Sequence, residues 1–90
     1  MSQKAIDAAF NAKMGSPARL VVAVYLGMRA EDDGGVPWLT YDEIAKATHS
    51  NMATLLAAVD MLQELGLLTA EFADDRARFQ WNLAKIGGAL

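Results

Sequence analysis

His49 is the single histidine of a 90-residue chain with no cysteine, so neither a thiolate site nor a His–Cys metal cluster can be built from this sequence. Within Thr48-His49-Ser50-Asn51 the imidazole can touch a phosphate or sense pH, and its polar neighbours place it in a solvent-facing turn. The adjacent carboxylates Asp42-Glu43 are of the type used in acid–base chemistry. Thr40, however, lies three residues before Glu43, the pattern of a capping box, and Asp42 suits the first turn of the same helix. No nucleophile stands beside the pair, so no catalytic residue is assigned and an enzyme is not expected. Glu31-Asp32-Asp33 followed by Gly34-Gly35 carries cation-ligand oxygens but lacks the longer spacing of a calcium loop, and reads as a solvated turn. Trp38 and Trp81 can stack on nucleobases. Their places on the inward faces of short strands assign them to the core instead. The expectation is a binding protein with no metal and no cofactor.

The elements that must position these groups follow from periodicity. Residues 3–14 read as a helix, with Ile6, Phe10 and Met14 recurring every four positions and Ala5 and Ala9 beside them. That stripe packs on the next helix or pairs with a second copy, so a homodimer through the N-terminal helix is left open. Gly15 ends the helix, and Ser16-Pro17 restarts another, Ser as N-cap and Pro in the first turn. The second helix runs to about Ala30. Leu20, Val21, Val24, Tyr25 and Met28 form its principal face, and Val22 and Leu26 make the other side apolar too, which places it centrally. Val36-Pro37-Trp38-Leu39 is extended, with a short strand at Trp38-Leu39. A third helix runs from the Thr40 cap to about Ala47. After the turn, Asn51 caps a fourth helix, whose Leu55, Ala58, Val59, Leu62 and Leu65 face inward and which Gly66 ends. Leu67 to Phe72 is strand-like, Ala73 to Arg76 a turn, and Ala77 to Leu83 alternates as a half-buried strand with Ala77, Phe79, Trp81 and Leu83 inward.

Bulk properties narrow the class. The length allows one domain, residues 1–90, divided into an N-terminal helix (1–15), a core (16–83) and a frayed tail (84–90). The chain is 53% hydrophobic, which is ample for a packed core in a domain of this size. Its longest apolar run, Leu20 to Met28, falls well short of the ~20 residues of a bilayer span. Lys4 is followed by Asp7 and polar residues rather than by a cleavable apolar stretch, so no secretory signal is read. With no cysteines, a cytoplasmic location is expected. Eight Lys and Arg against eleven Asp and Glu give a formal net charge of −3. Phosphate neutralisation supplies much of the affinity of nucleic-acid binders, so this balance argues against DNA unless a local basic patch exists.

Two helices joined by a four-residue turn and followed by a hairpin make a winged helix-turn-helix, a mainly α fold with a small antiparallel β-hairpin wing. Three segments carry a family likeness: Ser16-Pro17-Ala18-Arg19-Leu20-Val21-Val22, Trp38-Leu39-Thr40-Tyr41-Asp42-Glu43-Ile44-Ala45, and Thr54-Leu55 through Leu62-Gln63-Glu64-Leu65-Gly66-Leu67-Leu68. Their order and spacing resemble the winged-helix domains of phage and plasmid replication-initiation proteins and of small prokaryotic transcription regulators. The resemblance covers Ser16 to about Leu83. It implies an opening helix, an approach to the helix-turn-helix, and a recognition helix running into the wing.

In DNA-binding members of that family the outward positions of the recognition helix are cationic or hydrogen-bonding and reach base edges in the major groove. The matching positions here are Met52, Ala53, Leu56, Ala57, Asp60 and Met61, none of them basic. Two readings therefore stand. In the first, the chain is a small DNA-binding regulator, phage- or plasmid-related. Lys46 and His49 then meet phosphates of double-stranded DNA, Asn51 and Thr54 lie near the backbone, and Arg76 and Arg78 serve the wing. In the second, the fold is turned to protein binding through those six outward positions. The chain is then an inhibitor of a host protein complex from a mobile element (anti-CRISPR-type) or an assembly subunit.

Overall fold

The computed structural model describes residues 1–88. Helix α1 spans Gln3–Asn11, with the Ser2 side chain accepting from the Ala5 amide at its start. It ends before Met14, yet Met14 is buried along with Ala5, Ile6 and Ala9. Phe10, expected on the same packed stripe, is 60% exposed. Helix α2, Pro17–Met28, opens as expected on Ser16 and Pro17. It buries Val22, Ala23, Leu26 and Gly27, whereas Val21 and Met28, expected on its principal face, are exposed. Small residues decide this. A Cβ on Gly27 would stand 2.9 Å from the Ile6 backbone nitrogen, so α1 crosses α2 on the Ala23/Gly27 side, and that side becomes the interior.

Strand β1 spans Gly35–Thr40, longer than the expected pair of residues at Trp38-Leu39. It joins β2 (Leu68–Ala73) and β3 (Arg76–Trp81) in a three-stranded antiparallel sheet of order β1-β3-β2. The described chain is thus mixed, five helices and one sheet, rather than helices with a lone hairpin. Central β3 alternates as its sequence does, burying Ala77, Phe79 and Trp81. The Trp81 indole donates to the Leu26 carbonyl at 3.2 Å and ties the sheet to α2. Trp38 does not join it. The β1 register shifts between Val36 and Leu39, so both of these point inward and Pro37 and Trp38 between them turn outward.

Helix α3 (Tyr41–Thr48) begins at the capping box, with the Glu43 amide donating to Thr40 Oγ1 and the Thr40 amide to Glu43 Oε1, each at 3.0 Å. His49, in the left-handed region at φ 52°, ends it. Helix α4 (Met52–Glu64) is capped by Asn51 and buries Leu55, Ala58, Val59 and Leu62. Leu65, expected inward with them, is 43% exposed: it is the C-cap of the helix and, at 3.6 residues per turn, falls on the flank of the Leu55–Leu62 face. Residues 84–88, expected to fray, belong to a short helix α5, Leu83–Gly88. The Asn82 side chain accepts from the Lys85 amide, and Lys85 Nζ donates to the Leu65 carbonyl at 2.7 Å, so α5 is fastened to the end of α4. Residues 89–90 of that expected tail lie outside the described residues. Among the described residues, no helix is long and apolar enough to cross a membrane.

Candidate interaction surface

The α3–turn–α4 unit and the β2–β3 hairpin present all the sequence-derived site residues, and the structure commits most of their polar groups elsewhere. Asn51 Oδ1 accepts from the Thr54 amide at 2.8 Å, so its acceptor is spent on the helix end and Thr54 is half-buried. The turn is held from within. Thr48 Oγ1 donates to the Ile44 carbonyl and lies 2.7 Å from Ser50 Oγ. His49 is exposed in that turn with no side-chain partner among the described residues.

Each cation expected to meet DNA sits against a carboxylate. Lys46 lies 2.9 Å from Asp42, one helical turn back. Arg78 lies 2.9 Å from Glu71, its cross-strand partner, and stacks over the exposed Trp38 ring at 5.1 Å. Arg76 lies 3.4 Å from Asp75. Exposed pairs of this kind contribute little to stability. Their electrostatic consequence is larger: a cation with its counter-ion in van der Waals reach offers a phosphate a dipole instead of a charge. Arg19, from α2, donates to the Met61 sulfur at 3.3 Å. Met61, expected on the outward surface, is therefore half-buried beneath a guanidinium and packed on the core. Ala57 is half-buried as well.

What remains outward on α4 is one continuous stripe. Met52, Leu56, Asp60 and Glu64 recur every four residues and are all exposed, with Ala53 beside them. Met52 and Leu56 are each 43% exposed. Asp60 and Glu64 make no ion pair among the described residues. The stripe is apolar at its N-terminal half and anionic at its C-terminal half.

The Asp42–Lys46 pair could be found from its i, i+4 spacing alone. The Glu71–Arg78 pair could not, because it depends on the hairpin register, and the Arg19–Met61 contact depends on how α2 crosses α4. No protein-family model matches the chain, and neither a curated protein nor a solved structure does.

Proposed function

We propose that the chain is a winged helix-turn-helix whose α4 is a protein-binding face. Helix α2, strand β1, the α3–turn–α4 unit and the β2–β3 hairpin follow in the order that fold requires, with α1 and α5 added at the ends. The observation that carries the functional reading is the exposed Met52–Leu56–Asp60–Glu64 stripe on the helix that would read a groove. It offers apolar anchors and uncompensated carboxylates where a groove reader needs donors and cations. A partner that fits presents an apolar pocket edged by basic groups. That chemistry suits an inhibitor of a host protein complex, as mobile elements encode, or a subunit of an assembly.

The test is capture from nuclease-treated lysate of the encoding organism, with the wild type and Leu56→Glu in parallel. The position is exposed, so the fold is expected to persist, with circular dichroism as the check. The wild type should retain a protein that Leu56→Glu loses by at least about tenfold, the effect of removing a central anchor. Equal capture by both eliminates the α4 face.

The element order also favours a second reading, a phage- or plasmid-related DNA-binding regulator. On that reading Arg76→Ala with Arg78→Ala should weaken duplex binding broadly and flatten its salt dependence. If the wild type fails to shift any duplex at low salt, that reading is lost.

A further inference from the structure

We propose that the groove between α1, α5 and the C-terminal end of α4 receives an acidic amphipathic helix from a partner protein. This surface is separate from the α4 stripe and rests on different observations. The groove has a volume of about 640 Å³, room for several side chains at once. Its floor is apolar, formed by Ala8, Leu65, Leu67 and Ile86. Lys4, Lys13 and Lys85 line its rim.

Those lysines differ from the cations of the helix-turn-helix and hairpin. None has a carboxylate within ion-pair reach among the described residues, although the chain as a whole is anionic. Asp7 is the one acid on the rim, and its carboxylate accepts from Gln3 Nε2 at 2.9 Å. Lys85 Nζ donates to the Leu65 carbonyl, a neutral partner, at 2.7 Å. A chain with more acids than bases has thus left three unpaired lysines around one apolar trough.

The placement of the charges selects the occupant. Lys4 lies in the first turn of α1 and Lys13 two residues past its C-terminal end. A ligand with a single anionic head would satisfy one end and leave the other unpaired. A helix that lays apolar anchors into the trough and carries Glu or Asp on both flanks meets all three. The wall supplied by α1 from Lys4 to Asn11 is about 10 Å long, which matches anchors at i, i+3, i+4 and i+7.

A fluorescein-labelled peptide of about 15 residues provides the probe, with Leu at the anchor positions and Glu at the others. A second peptide carries Lys in place of Glu. Fluorescence anisotropy should show binding of the Glu peptide, weakening as ionic strength rises, and none of the Lys peptide. Lys4→Glu with Lys13→Glu should lower affinity at least about tenfold, and Leu65→Glu should remove it, with unchanged melting temperature reporting an intact fold. Leu56→Glu, which disables the α4 face, should bind the Glu peptide as the wild type does. Equal binding of both peptides, or indifference to the lysine reversals, overturns the proposal. So does displacement of a labelled dodecanoate with no peptide binding, which would make the groove a fatty-acid site. A dimer in sedimentation that Leu65→Glu dissociates would give the groove to a second copy and overturn it too.

Discussion

At the residue scale, most of the groups that the sequence offers to DNA are held by their own neighbours, His49 excepted. Asn51 illustrates how this separates the two readings. As a helix cap it closes the Thr54 amide, and Asn51→Ala should cost about 1 kcal/mol of unfolding free energy while Asn51→Asp costs far less. Urea denaturation of the two variants measures the difference; equal stability would show that the side chain is free for another task. Arg78 gives the complementary case. Glu71→Gln removes its counter-ion, and because the pair is exposed, stability should change by less than about 1 kcal/mol. The cap was legible because it depends on a residue and the amide three positions on. The place of Trp38 was not. Simple alternation along Val36 to Leu39 cannot reveal that the register shifts between them, and that shift alone turns the indole outward onto Arg78.

At the element scale, the strongest determinant is the crossing of α1 and α2. Alanine is ordinarily favoured over glycine inside a helix by about 1 kcal/mol. At Gly27 the added methyl would meet the Ile6 nitrogen at 2.9 Å and the Ala5 carbonyl carbon at 3.1 Å, both backbone atoms that cannot rotate away. Overpacking of this kind costs about 1–3 kcal/mol, so the net sign is destabilising. Gly27→Ala should lower the melting temperature by several degrees, since about 1 kcal/mol shifts a domain of this size by roughly 4–8 °C. An unchanged or raised midpoint in a thermal scan would mean that α1 stands further from α2 than described. The same crossing explains why the inward face of α2 could not be read ahead. Val21, Val22, Val24, Leu26 and Met28 surround the helix, so hydrophobicity marks no side, and the choice falls to the small residues Ala23 and Gly27 that admit a neighbour. Helix α4, with a polar flank, had its buried positions Leu55, Ala58, Val59 and Leu62 legible from spacing alone. The end of the chain gave no such signal. The helical start at Leu83 depends on Asn82 capping the Lys85 amide and on Lys85 reaching Leu65, a contact distant in sequence.

At the scale of the whole molecule, charge arrangement is what divides a protein-binding face from a nucleic-acid one. The carboxylates of Asp42, Glu71 and Asp75 each stand beside a cation on the surface that a winged helix would turn to DNA, and the formal net charge is −3. Converting the three to amides would cancel that charge without touching the core, because all three side chains are well exposed. If the fold is inherently shaped for a duplex and merely masked, Asp42→Asn, Glu71→Gln and Asp75→Asn together should give salt-dependent duplex binding that the wild type lacks. If α4 is shaped for protein, the triple variant should still fail to bind at moderate salt. Met52, Leu56, Asp60 and Glu64 would then keep the helix from seating, however many cations the hairpin frees. We expect failure, read by electrophoretic mobility shift across a salt series. A steep salt dependence in the variant would assign the unpaired acids of α4 a smaller role than their exposure implies, and would return the hairpin arginines to the centre of the function.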